Sequence, residues 1–118
     1  MSDLEALTLR YRRFSAERDW EKFHDPRSLI LALMGEVGEL AELYQWPGSQ
    51  TESRPNPDSL LHERSAEEIS DVLLYLIRLA DVLGIDPIDA ANRKLDAAEG
   101  RFPVDQYLGE APDKSQAR

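Results

Sequence analysis

Four acidic side chains, arranged as two pairs with the same spacing, are the residues of this sequence most suited to chemistry. Glu36 and Glu39 are three residues apart in EVGEL, and Glu68 and Asp71 repeat that spacing in EEISD. Residues three apart on an α-helix project from neighbouring positions. Two such helices facing each other would bring four carboxylates together, where like charges repel unless a cation neutralises them. Oxygen ligands of this kind suit Mg²⁺, with Mn²⁺ as the alternative.

Glu36 is the hardest of the four acids to explain as an ordinary surface residue. With a rotation of about 100° per residue, it falls among the leucines of one helical face: Leu29, Leu33, Leu40 and Leu43. Burying an unpaired carboxylate costs several kcal/mol, or the group takes up a proton instead. A role as metal ligand would compensate for that burial.

Other interpretations of the acids compete with a magnesium site. Glu68 follows Ser65 at the spacing of a capping box, so it could complete the start of a helix. Spaced acids on helices also commonly form a solvated face. A di-iron bundle needs two Glu-x-x-His pairs; Glu21 with His24 is the one such pair, so Mg²⁺ is favoured over iron. His24 and His62 are interpreted as structural or surface residues.

Four helical segments, separated by turn signals, would position these acids in an all-α bundle. Ser2 with Glu5 forms a capping box, and Asp25 followed by Pro26 combines an N-cap with a first-turn proline. The same signal recurs at Asp86-Pro87, and no alternating strand pattern competes. The predicted helices run from Asp3 to about Trp20, from Pro26 to about Trp46, from between Asp58 and Ser65 to Gly84, and from Pro87 to about Glu99.

Composition predicts a single folded domain and narrows the classes of partner. Of the 118 residues, 42% are hydrophobic and 31% charged, which suits a folded domain over residues 1–108 followed by a disordered tail over 109–118. The net charge of −9 argues against a nucleic-acid-binding surface. No apolar run approaches the roughly 20 residues that cross a bilayer. The absence of cysteine fits a cytoplasmic location.

The third predicted helix carries more apolar residues than one face can hold. They are Val72, Leu73, Leu74, Leu76, Ile77, Leu79, Val82 and Leu83. A helix that is apolar nearly all round is buried on several sides. We therefore expect a homodimer or homotetramer, although a single well-buried central helix would also account for the pattern. The sequence pattern does not indicate a role for the polar loop over residues 47–64.

The two acid pairs, taken together, resemble those of the MazG-like all-α nucleoside triphosphate pyrophosphohydrolases. The signature block of the dCTP pyrophosphatase branch is similar to the stretch FSAERDWEKFHDPRSLILALMGEVGELAELYQW. The similarity continues in EEISDVLLYLIRLADVLGID. The resemblance covers roughly residues 4–107. It implies hydrolysis of a nucleoside triphosphate to monophosphate and pyrophosphate, with tetrameric assembly common.

The resemblance also implies roles for individual residues. The acids Glu36, Glu39, Glu68 and Asp71 match Mg²⁺ ligands. Residues that match substrate-binding positions are Trp20 and Trp46 at the nucleobase, Tyr75 beside the nucleotide, and Lys94 and Arg101 at the phosphates.

One position departs from the branch that the chain resembles. Tyr11 stands where the animal dCTP pyrophosphatases carry a histidine, and its hydroxyl offers a base a different donor geometry. This departure puts a preference for cytosine in doubt but leaves the implied pyrophosphohydrolase activity untouched. The sequence also leaves open the base and sugar preference, the number of ions and the identity of the general base. A non-catalytic helical oligomer that acts as an interaction module is the alternative function.

Overall fold

The protein is all-α over the residues that the computed structural model describes, which are 1–45, 56–113 and 115. No strand occurs among them, so the predicted fold class is confirmed. A single 3-10 turn, Glu21–Phe23, lies between the first two helices. The helices are α1, Asp3–Glu17; α2, Pro26–Glu42; α3, Leu60–Leu83; α4, Pro87–Arg101; and α5, Val104–Tyr107.

The helices begin where the local capping signals predict. Ser2 Oγ accepts a hydrogen bond from the Glu5 backbone N–H at 3.2 Å, and the Glu5 carboxylate accepts one from the Ser2 N–H at 3.0 Å. Asp25 caps α2 by accepting from the Ser28 N–H. Ser59 caps α3, within the predicted range. A capping oxygen satisfies N–H groups that have no partner inside the helix.

The helix ends differ more from the predictions. The first helix ends at Glu17 rather than near residue 20, because the chain turns at Asp19, whose φ is 54°. The second ends at Glu42, earlier than predicted; residues 46–55 lie outside the described part of the chain. The fourth continues through Gly100 to Arg101, since a glycine inside a helix costs only about 1 kcal/mol and need not end it. The short helix α5 has no counterpart among the predictions.

Ser65 lies inside α3 and does not cap it. Its hydroxyl donates to the Leu61 carbonyl at 2.7 Å and is 2.5 Å from the Tyr44 hydroxyl. The interpretation of Ser65 and Glu68 as a capping box is therefore wrong. The hydrogen bond to Tyr44 joins the end of α2 to α3 instead.

The chain forms two compact units, Met1–Ile85 and Asp86–Arg118. In the first unit α2 packs mainly against α3, and α1 also packs against α3. The second unit contains α4 and α5, where the rings of Phe102 and Tyr107 meet edge to face at 5.0 Å. The single domain over 1–108 and the disordered tail stay predictions; residues 114 and 116–118 are outside the described part.

The fully buried apolar core of the described residues is small. It consists of Leu29, Ile77 and Ala80. Large apolar side chains on α2 and α3 remain open to solvent; Met34 is 66% exposed and Ile69 is 55% exposed. Among the described residues, no helix combines the length and apolarity needed to cross a membrane.

Candidate metal centre

Packing of α2 against α3 brings three of the four predicted acids together. Glu36, Glu39 and Glu68 each contribute a carboxylate oxygen, and these oxygens all lie within 4.8 Å of one another. Glu36 and Glu68 are half-buried, whereas Glu39 is exposed. Three anionic groups at this separation repel one another strongly. The cluster is therefore stable only with bound protons or a bound cation.

The raised pKa of Glu36 shows that ionisation of the cluster is unfavourable. Burial raises the pKa of Glu36 to about 7, with further contributions from a hydrogen bond to Glu68 and from the charge of Glu39. Burial also raises the pKa of Glu68, although its hydrogen bond with Glu36 opposes that rise. When no cation is present, protonation of Glu36 relieves part of the repulsion between the two carboxylates.

Two oxygens of the cluster lack hydrogen-bond donors among the described residues. Glu36 Oε2 and Glu68 Oε2 are buried, and neither has a hydrogen-bond partner. A buried acceptor without a donor costs about 1–3 kcal/mol. A divalent cation with a preference for oxygen would satisfy both atoms and neutralise the cluster. The residues therefore fit Mg²⁺ or a similar ion.

Asp71, the fourth predicted ligand, lies beside the cluster and outside its 4.8 Å group. It is exposed on α3, three residues after Glu68. Its charge nevertheless contributes to the raised pKa of both Glu36 and Glu68. Asp71 is thus close enough to act electrostatically on the same site.

Tyr11 of α1 lies near enough to Asp71 for the Asp71 charge to act on its hydroxyl. Burial raises the pKa of the Tyr11 hydroxyl, and the neighbouring Tyr75 and Asp71 raise it further, while the Arg78 charge opposes them. Tyr11 also forms part of the wall of a cavity of about 290 Å³. The residues that line this cavity are Leu7, Arg10, Tyr11, Phe14 and Leu74.

The remaining predicted substrate-binding residues for which the structure gives a position are exposed at the surface of their helices or turns. Trp20 is 45% exposed, and its ring contacts Phe14 edge to face at 5.6 Å. Trp46 lies outside the described residues. Lys94 and Arg101 are exposed on α4, in the second unit. Their proposed roles at the nucleotide stay predictions.

An ion-pair network around the buried Arg78 of α3 was not predicted from the sequence. Arg78 Nη1 donates to Asp81 at 2.9 Å, and Arg78 Nε donates to His24 Nδ1 at 2.9 Å. Arg12 of α1 also donates to Asp81, and this bond is the largest cause that lowers the Asp81 pKa below its usual value. The signal was present in LIRLADVL, where an arginine and an aspartate stand three apart in an apolar stretch.

Comparisons with known proteins find relatives of this chain among the dCTP pyrophosphatases. No protein-family model matches the chain. The chain is 47% identical over 111 residues to mouse dCTP pyrophosphatase 1, covering 92% of this chain and 64% of the mouse protein. It is 48% identical over 104 residues to the human protein of that name, covering 86% of this chain and 59% of the human one. The chain thus spans less than two thirds of the length of these relatives.

The chain matches one solved structure over nearly the whole length of that structure. The crystal structure of a pyrophosphatase from Archaeoglobus fulgidus has a TM-score of 0.71 and 36% sequence identity, covering 87% of this chain and 94% of that one. The chain therefore belongs to the MazG-like all-α pyrophosphatase family. Within that family its curated relatives are dCTP pyrophosphatases, the branch that the sequence motifs predict.

Proposed function

We propose that this protein hydrolyses a nucleoside triphosphate to the monophosphate and pyrophosphate in a Mg²⁺-dependent reaction, with Mn²⁺ as a possible substitute. The substrate is dCTP or a related pyrimidine deoxynucleotide, and the role is house-cleaning of the nucleotide pool. The observation that carries the proposal is the cluster of Glu36, Glu39 and Glu68, whose oxygens lie within 4.8 Å of one another. Two of its buried oxygens lack donors among the described residues.

The acids divide the work of the reaction between metal binding and proton transfer. Glu36, Glu39 and Glu68 hold the cation, and Asp71 beside them completes the acidic set. A bound divalent ion polarises phosphoryl oxygens and the attacking water. Whichever of Glu36, Glu39 and Glu68 keeps a carboxylate oxygen free of the cation takes the proton of that water. The water oxygen then bonds to the α-phosphorus, and the bond to the pyrophosphate leaving group breaks.

Aromatic and basic residues would hold the two ends of the nucleotide. Trp20 and Trp46 stack on the base, an interaction worth about 1–3 kcal/mol per base. Tyr11 and Tyr75 lie at the nucleoside end, where a tyrosine hydroxyl both donates and accepts hydrogen bonds. The cations Lys94 and Arg101 contact the phosphates.

The working form is a homodimer or homotetramer in the cytoplasm, without a nucleic-acid partner. Large apolar side chains that stay exposed on one chain support this assembly: Leu31 on α2 is 63% exposed, and Leu76 on α3 is 45% exposed. Contiguous exposed apolar surface commonly marks an interface between proteins. The formal charge of −9 disfavours contact with phosphate backbones.

The experiment that tests the proposal measures pyrophosphate release from a panel of ribo- and deoxynucleoside triphosphates. Turnover with Mg²⁺ and its loss in EDTA are expected, with the highest kcat/KM for a pyrimidine deoxynucleotide. Turnover of no triphosphate, or full activity in EDTA, contradicts the proposal. Glu36→Gln should abolish turnover, while Glu42→Gln, a change at an exposed position of the same helix, should leave it intact.

A second candidate is a non-catalytic helical oligomer, which the exposed apolar surface of α2 and α3 also favours. The two candidates differ in their response to ligands. In an enzyme, Mg²⁺ with a nucleotide raises the melting temperature, because both bind only the folded state. In a non-catalytic oligomer the melting temperature changes with protein concentration and not with added nucleotide.

A further inference from the structure

Arg78 ties the connection between α1 and α2 to helix α3. Its side chain is only 8% exposed, although it carries a permanent charge. One edge of the guanidinium donates to Asp81 of the same helix, and Nε donates to His24, 54 residues away in sequence, at 2.9 Å. A planar group with fixed donor directions is suited to such a two-sided contact.

The bond from Arg78 fixes the protonation state of His24. Because Nδ1 accepts a hydrogen bond, the imidazole is neutral and carries its proton on Nε2. Burial and the adjacent Arg78 charge lower the pKa of His24, while Glu21 opposes them. The imidazole therefore stays an acceptor at neutral pH.

The ring of His24 supports Tyr11. The two rings meet edge to face, with centroids 6.3 Å apart and planes at 76°. Tyr11 is in turn subject to the charges of Asp71 and Tyr75, and it lines the cavity of about 290 Å³ between α1 and α3. Tyr11 thus lines the cavity and is also subject to the charge of Asp71, which lies beside the acidic cluster.

We propose that Arg78 and His24 are positioning residues, which hold Tyr11 in the wall of the cavity and so set how the nucleoside end of the substrate binds. Arg78 fixes the His24 ring, and the ring fixes Tyr11. This inference rests on the proposed function, since it assigns a role in substrate binding. Neither Arg78 nor His24 touches the reacting atoms.

Three substitutions each remove one feature of the contacts that link Arg78, His24 and Tyr11. Arg78→Met removes the donor, His24→Phe keeps a ring but removes the acceptor, and His24→Asn keeps an acceptor but removes the ring. Each should raise KM by about tenfold and change kcat by less than about threefold, because Tyr11 contributes to binding rather than to the chemical step. A wild-type KM in any folded variant overturns the proposal, even where the melting temperature falls.

A double-substitution cycle tests whether the effect passes through Tyr11. In a Tyr11→Ala background, Arg78→Met and His24→Phe should change KM by less than about twofold, since the side chain that they position is gone. Full effects on KM in that background would show that Arg78 and His24 act elsewhere and would overturn the proposal. Arg13→Met on α1 and His62→Asn on α3, at exposed positions, are the matched controls, with unchanged KM.

Nuclear magnetic resonance separates a failure of this inference from a failure of the proposed function. In the wild-type protein, ¹⁵N shifts of His24 should report an unprotonated Nδ1; a proton on Nδ1 overturns the inference whether or not any variant folds. The Tyr11 ring signals should move in His24→Phe and not in Arg13→Met, and unmoved signals overturn it as well. Absence of turnover in the wild type would instead contradict the proposed function alone.

Discussion

Replacing Glu36 with glutamine should stabilise the metal-free protein while abolishing its activity. Burial and its acidic neighbours raise the Glu36 pKa from an ordinary value of 4.5 to about 7. At about 1.4 kcal/mol per pKa unit, the ionised group costs the fold at most about 3.5 kcal/mol. Solvent screening at a half-buried site reduces this to about 1–2 kcal/mol. Glutamine keeps the shape and removes that cost.

The stability gained with glutamine depends on pH, and the raised pKa of Glu36 determines the direction of that dependence. Between about pH 4.5 and 7 the folded protein binds more protons at Glu36 than the unfolded chain does. The free energy of unfolding of the metal-free wild type therefore falls as pH rises through that window. Below it, Glu36 is protonated in both states and the substitution should change little. Above it, the advantage of glutamine is complete.

Urea denaturation in EDTA at pH 5 and pH 8 measures the effect, with Glu42→Gln as the control because Glu42 is exposed on the same helix. Glu36→Gln should be more stable than wild type by about 1–2 kcal/mol at pH 8. Added Mg²⁺ should stabilise the wild type and not the variant. A variant less stable than wild type at pH 8 in EDTA would refute the account of a crowded acidic cluster.

Further urea denaturation experiments test the frame around the site. Gly84→Ala should lower the free energy of unfolding by about 1 kcal/mol, because the α3 C-cap has φ 69°; Gly100→Ala, inside α4, should raise it by about 0.5–1 kcal/mol. Asp81→Asn should lower it by about 3 kcal/mol by leaving buried Arg78 without a carboxylate. The wild type should lose a similar amount of stability as pH falls below 3.8, because the Asp81 carboxylate, whose pKa is lowered in the folded state, then becomes protonated. Leu29→Ala, at a side chain 2% exposed, should lower it by about 3 kcal/mol. A change of opposite sign would contradict each expectation.

Local signals made the helix starts predictable. A capping residue such as Ser2 or Asp25 acts on N–H groups two or three positions away, so both the signal and its effect lie within one short stretch of sequence. Helix ends depend more on how the chain turns afterwards. The turn at Asp19 and the continuation through Gly100 carried no comparably specific signal.

In the candidate site, too, residues set by a local pattern were predictable, whereas contacts between distant residues were not. Glu36 was recognisable because its own helix surrounds it with leucines, and the repeat of the Glu36–Glu39 spacing then indicated Glu68 and Asp71. The bond between Arg78 and His24 joins residues 54 apart, and neither helix periodicity nor capping indicates which distant acceptor a buried arginine will meet. The position of Trp46 relative to the acids likewise stays a prediction.

The small interior of the chain also bears on how the protein would behave when diluted. With Leu29, Ile77 and Ala80 as the fully buried apolar residues of the described part, an isolated copy shields little hydrocarbon from water. If copies associate as proposed, folding and association form one equilibrium, and the melting temperature rises with protein concentration. A surface change such as Met34→Asp would then act as strongly as a defect in the interior.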